Sequence, residues 1–215
     1  MQQRLFHRIT PIWILLLACA GTPKGHSSAT ANGTGIHPTD EALRGELLKR
    51  VETDQAVRID LMHKQQAGGS PDSLDIQRML AVDTANTAWL KGVVESRGWP
   101  GRSAVGTDGA NAAFLLVQHA DRDTGFQAMV LPLMERAYAA GDAEGQQVAL
   151  LTDRIAAARG EPQVYGSQAS ITNGRVILKP IRDSAGVDAR RARMGLPLLA
   201  EYVRVLDSMY TKRPK

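Results

Sequence analysis

Residues 109–121 read Gly-Ala-Asn-Ala-Ala-Phe-Leu-Leu-Val-Gln-His-Ala-Asp. Ala112, Ala113, Phe114, Leu115, Leu116 and Val117 leave no polar side chain on any face of a helix built from them. A helix apolar nearly all round has to be buried, so this segment is expected to be the central helix of the domain. Other helices must then surround it, which makes the chain mainly α. The central helix ends in Gln118-His119-Ala120-Asp121. An imidazole there titrates near neutral pH and can serve as acid, base or ligand, depending on the groups that face it. The plain alternative is a core histidine satisfied by one neighbour.

Working outward, punctuation and periodicity predict about six helices. Asp40 to Gln66 is one, closed by Gly68-Gly69, and Asp72 to Arg97 is another, closed by Gly98 and Pro100. The central helix spans Gly109 to Ala120. Gly125 to Ala140 follows, with a kink expected at Pro132 because proline cannot donate its backbone hydrogen bond. Ala143 to Arg159 is stopped by Gly160 and Pro162. The period then changes to two. Gln163 to Thr172 and Arg175 to Ile181 flank Asn173-Gly174, a dipeptide suited to the left-handed dihedrals of a tight hairpin turn. A short helix around Val187 to Arg193 and a longer one from Pro197 to Tyr210 complete the reading. The fold class is mainly α (α+β), with one β-hairpin near residues 163–181.

The first two helices carry polar groups where a dry face is expected. In the first, Leu43, Leu47, Val51, Leu61 and Met62 form the apolar stripe, and Asp54 and Arg58 lie inside it, four apart and able to pair. In the second, Ile76, Met79, Leu90, Val93 and Val94 form the stripe, with Asp83 and Asn86 within it. A buried carboxylate shifts its pKa or finds a cation. Either these groups form a structural network or they line a polar cleft. The fifth helix adds Asp153 and Arg154 beside its apolar stripe. In the strand that follows, Gln163, Tyr165 and Ser167 would share one face and Gln168 take the other, with Gly166 allowing close backbone approach. Gln163, Tyr165 and Gln168 suit hydrogen bonding to a polar ligand, or an exposed hairpin face.

The first 21 residues bear on location. Arg4, His7 and Arg8 precede an apolar run from Ile9 to Ala18, which ends in Leu16-Leu17-Ala18-Cys19. A basic head, a short apolar core and a small residue are the layout of an export signal, and the run is shorter than the ~20 residues that cross a bilayer. Leu16-Leu17-Ala18-Cys19 resembles the lipobox of bacterial lipoproteins. The resemblance implies a signal peptide over 1–18 and a lipid anchor on Cys19, the only cysteine of the chain. By the same resemblance, the lack of an Asp after Cys19 implies the periplasmic face of the outer membrane. Residues 19–39, rich in Gly, Ser, Thr and Ala, are expected to be a tether, and 40–215 a single domain.

The whole chain carries a formal charge of +4; without residues 1–18 it is +2, from 24 basic and 22 acidic side chains. That near balance, with no basic residues interleaved with aromatics, gives no nucleic-acid signature. There is no phosphate-cradling Gly-rich loop, no G-x-S-x-G elbow and no H-E-x-x-H. Neither a metal nor a cofactor is expected.

Several short pieces recur in combination: Asp83-x-x-Asn86, Gly98-Trp99-Pro100, Val105-Gly106, Gln118-His119-Ala120-Asp121, Gln127, Leu131-Pro132-Leu133, Asp153-Arg154 and Gln163-x-Tyr165-Gly166-x-Gln168. Together they resemble a bacterial domain-of-unknown-function family, number 6624, over about Glu46 to Tyr202. The resemblance implies a domain type and no activity.

Three functions fit. The first is a cell-envelope lipoprotein whose cleft, lined by Asp54, Arg58, Asp83, Asn86, Gln118, His119, Asp153, Arg154, Gln163, Tyr165 and Gln168, binds a small or glycan-like ligand. The second is a hydrolase using His119 with Asp83 or Asp54 as an acid/base pair, with Arg58 or Arg154 stabilising negative charge. The third is a structural envelope protein whose polar groups only satisfy one another.

Overall fold

The computed structural model describes residues 38–210 apart from 173 and 174. The signal peptide, Cys19, nearly all of the tether and the Asn173-Gly174 turn lie outside the described residues. Seven α-helices and one hairpin are described: α1 (Glu41–Gln66), α2 (Ser73–Arg97), α3 (Arg102–Gln118), α4 (Thr124–Ala139), α5 (Gly145–Ala158), β1 (Ala169–Thr172), β2 (Arg175–Leu178), α6 (Val187–Arg193) and α7 (Leu199–Tyr210). Among the described residues, no helix is long and apolar enough to cross a membrane.

Local chemistry sets the helix ends. The Asp40 carboxylate accepts the Leu43 amide at 2.9 Å and starts α1. Asp72 and Asp75 cap α2 reciprocally, each carboxylate accepting the other's backbone N–H at 2.9 Å. Gly98, at φ +80, ends α2 before Trp99-Pro100. Asp123 accepts the Phe126 amide at 2.8 Å and starts α4.

The apolar segment is the centre of the molecule. α3 packs against α1, α2, α4 and α5, and Ala113 and Val117 are fully buried. Around them, Leu47, Leu90, Phe126, Val130, Met134 and Leu151 complete one continuous core. Burial of each large apolar side chain contributes about 1.5–3 kcal/mol, and α3 supplies Val105, Phe114, Leu116 and Val117 to that core.

α4 runs from Thr124 to Ala139 with Pro132 inside it. Three expectations need correction. α3 begins at Arg102, about two turns before Gly109, because Gly106 at φ 73, ψ 171 lets the chain bend and resume the helix. Met62 is 38% exposed rather than part of the core, whereas its neighbour Leu61 is buried. Finally, the hairpin pairs only from Ala169↔Leu178 to Thr172↔Arg175. Residues 163–168 form a loop, attached through a single parallel bridge between Gln163 and Ile181.

Candidate functional site

The polar residues of α1 and α2 converge on the end of α3. Asp54 is fully buried on α1, and His119, the C-cap of α3, is 9% exposed. Nδ1 of His119 lies 3.0 Å from Oδ1 and 2.9 Å from Oδ2 of Asp54. Arg58, one turn after Asp54, joins both helices: Nη1 donates to Asp54 Oδ1 at 2.6 Å and Nη2 donates to Asp83 Oδ1 at 2.7 Å. Gln55 Nε2 donates to the second Asp54 oxygen at 2.7 Å. The buried carboxylate is thus fully engaged, as burial of a charge requires.

This arrangement fixes the state of the ring. A carboxylate facing Nδ1 accepts a proton from it, so the neutral imidazole carries its lone pair on Nε2. Burial lowers the His119 pKa from its ordinary value, against the opposing pull of Asp54; the positive charges of Arg58 and Arg154 lower it further. The ring is therefore held neutral, with Nε2 as its proton-accepting nitrogen. Burial raises the Asp83 carboxyl above the usual carboxylate range, with Arg58 opposing.

The ring borders open space. A cleft of about 590 Å³ is walled by Asp83, Thr84, Thr87 and Lys91 from α2, by His119 at the end of α3, and by Arg122 and Asp123 from the turn before α4. Its size is within the ~300–1,000 Å³ of small-molecule sites. With Nδ1 occupied by Asp54, Nε2 is the ring nitrogen left for the cleft.

The wall behind His119 is braced. Gln127 on α4 is fully buried, and its amide donates to the carbonyls of Val117 at 3.1 Å and Gln118 at 3.3 Å, capping α3. Arg154 on α5 donates to Asp121 Oδ1 at 2.6 Å and pins the turn that follows the histidine.

A family model described as a family of unknown function (DUF6624) matches residues 41–215. The chain belongs to this family. No curated protein and no solved structure matches it significantly.

Within the DUF6624 domain, the remaining sequence-predicted site residues form a second network. Asp153, fully buried, accepts backbone N–H groups from Val164 at 2.7 Å, Tyr165 at 3.0 Å and Ser167 at 2.8 Å. Those amides cannot then serve a strand ladder, which is why residues 163–168 form a loop. Gln163 is held on three sides: Nε2 donates to the carbonyls of Gln168 and Lys179, both at 2.9 Å, and Oε1 accepts the Gln168 amide at 2.7 Å. Gln168 Nε2 donates to Ser167 Oγ at 3.2 Å. Arg191 Nη1 donates to the Tyr165 carbonyl at 2.7 Å, and the Tyr202 hydroxyl donates to the Ser167 carbonyl at 2.8 Å.

The eleven predicted residues therefore divide. His119 and Asp83 wall the cleft, and Asp54 and Arg58 stand directly behind them. Asn86 is buried and turned to α1, where its Oδ1 accepts from Arg50 at 3.3 Å. Gln118 is buried on α3, and Arg154 acts through Asp121; none of these three borders the cleft. Asp153, Gln163, Tyr165 and Gln168 belong to the loop network and not to the cleft wall. Sequence reading missed Lys91 and Arg122. Their signal was available: Asp83, Thr87 and Lys91 are spaced four apart on one helical face, and Arg122 directly follows Asp121. Among the described residues, no group of three or more His, Cys, Asp or Glu is placed to hold a metal ion.

Proposed function

We propose that this domain binds a small polar ligand in the cleft beside His119 and hydrolyses it, with His119 as general base. The observation that carries the reading is the contact of His119 Nδ1 with both oxygens of the buried Asp54 carboxylate, on a ring that borders a cleft. In the step envisaged, Nε2 takes a proton from water as the water oxygen bonds to an electrophilic carbon or phosphorus. The imidazolium, stabilised by Asp54, returns that proton to the leaving group. Asp83, on the opposite side of Arg58 from Asp54, supplies the second titrating group at the cleft. A domain whose polar groups only satisfied one another would need no opening at His119, so the cleft weighs against the purely structural reading. A glycan-like ligand remains compatible with a cleft of this polarity.

The address is a separate part of the proposal and rests on sequence. The basic head, the apolar run and Leu16-Leu17-Ala18-Cys19 support export and a lipid anchor on Cys19, which would hold the domain at the periplasmic face of the outer membrane. Two acyl chains, at about 0.8 kcal/mol per buried methylene, give stable anchoring.

The test is turnover of chromogenic esters, phosphoesters and glycosides by the intact domain and by His119→Gln. The reading expects hydrolysis of one class, reduced at least ~100-fold in the variant. Equal rates in both proteins, or hydrolysis of no class by the folded wild type, would overturn it.

A further inference from the structure

We propose that the cleft is built for a ligand bearing an anionic oxygen group, phosphate or carboxylate, seated by Lys91 and Arg122 next to His119. The inference rests on the cleft reading above and names the chemistry of what the cleft takes.

Four charged side chains besides the imidazole line the cleft: Asp83, Lys91, Arg122 and Asp123. The two acids are already committed. Asp83 accepts from Arg58 at 2.7 Å, and both side chains of that pair are only 12% exposed. Asp123 accepts the Phe126 amide at 2.8 Å through Oδ1, which starts α4, and that bond together with Lys91 holds its carboxyl below the usual range. The two cations are not committed to the same degree. Lys91 meets Asp123 Oδ2 only at 3.3 Å, with 41% of its side chain exposed, an arrangement worth little in water. Arg122 is exposed and makes no hydrogen bond or ion pair with any described residue. The wall thus holds two acids and two cations; the cations, Lys91 and Arg122, are the less engaged and come from two different segments that meet only in the fold.

Position gives these two cations a use. Lys91 is two helical turns from Asp83 on the same face of α2, and Arg122 is three residues after His119. An ammonium and a guanidinium on two sides of one opening suit a group with several acceptor oxygens: the ammonium acts as a point charge and the guanidinium as a planar fork. A neutral sugar would gain little from either. An anionic group held there places the adjoining bond of the ligand beside Nε2, where a general base works.

The experiment compares how inorganic phosphate and chloride, at matched ionic strength, shift the melting temperature of the full chain. Phosphate also stabilises folded proteins by exclusion, without a site, so charge-matched variants carry the decision. A saturable phosphate-specific rise is expected in wild type and in the remote control Arg159→Gln/Arg175→Gln. In Lys91→Met/Arg122→Gln, the phosphate concentration giving half the rise should increase about tenfold or more. A rise that does not saturate in wild type would overturn the proposal. So would the same half-saturation in the cleft variant as in wild type, or an equal loss in the remote control. His119→Gln separates the two readings: if it keeps the phosphate response and also keeps turnover, the hydrolytic role falls and the anion site stands.

Discussion

Asp54 and His119 are 65 residues apart in the chain and meet at 2.9 Å, at the one place where α1 and the end of α3 come together behind an open cleft. The contact joins a carboxylate with no exposed surface to a ring that keeps one nitrogen for the cleft. Each part of the surrounding structure then has an identifiable job. Arg58 bridges the two acids, Gln127 caps the helix that carries the ring, and Arg154 holds the turn beyond it.

The first consequence concerns Asp54. Replacing it with Ala removes the acceptor of Nδ1 and takes one carboxylate away from Arg58 in a nearly dry setting. Breaking a buried ion pair in this way costs about 3–5 kcal/mol, measurable by urea unfolding. Asp54→Asn keeps the volume and should cost less. It should still lower turnover ~100-fold or more, because an amide does not select the Nε2-basic tautomer.

The pH dependence of stability follows from the lowered His119 pKa. The unfolded chain binds a proton on this ring near pH 6.5, whereas the folded chain resists doing so. Stability is therefore fully present above the unfolded value and is lost as the pH falls below it. Asp83 acts in the opposite sense: its raised pKa makes the folded state bind a proton more readily than the unfolded one, so stability declines as pH rises from 3.8 through the folded value. Melting temperatures between pH 7 and 5 should fall in wild type and fall less in His119→Gln.

Asp153 should prove structural rather than catalytic. Asp153→Ala leaves the amides of Val164, Tyr165 and Ser167 without their acceptor, at a cost of roughly 2–4 kcal/mol. Hydrogen exchange should accelerate first at those three amides, with the Asp54–His119 contact unchanged. Faster exchange at His119 and Asp54 instead would contradict the separation of the two networks.

Gly166 offers an independent check on the same loop. Its φ is +71, and a Cβ there would lie 2.8 Å from Ile181 Cδ1 and 2.9 Å from Leu199 Cδ1. Gly166→Ala should destabilise by about 1–3 kcal/mol, combining left-handed strain with crowding. Denaturant unfolding measures it directly.

The helical fold was readable because its determinant is local. Ala112 to Val117 have no polar face, and Asp40, Asp72 and Gly98 mark helix ends within a few residues of where they occur. The first turns of α3 were hidden because Gly106 bends the backbone there, and a glycine inside a helix leaves no periodic signature. Residues 163–168 looked like a strand because Gln163, Tyr165 and Ser167 alternate. That alternation was overruled by Asp153, which collects their amides from another element. At the cleft, Asp54, Arg58 and Asp83 could be singled out as charges on apolar stripes. Lys91 and Arg122 were passed over, although Lys91 continues the four-residue spacing of Asp83 and Thr87, because that spacing alone does not separate a cleft wall from a solvated face.

The most direct test of the central claim is the tautomer and titration of His119, read from long-range proton–nitrogen correlations of its ring. An imidazole held by Asp54 and available to the cleft should show protonated Nδ1 and unprotonated Nε2 at pH 7, and should titrate below the ordinary histidine range. A proton on Nε2 with Nδ1 bare, or a doubly protonated ring at pH 7, would contradict the account.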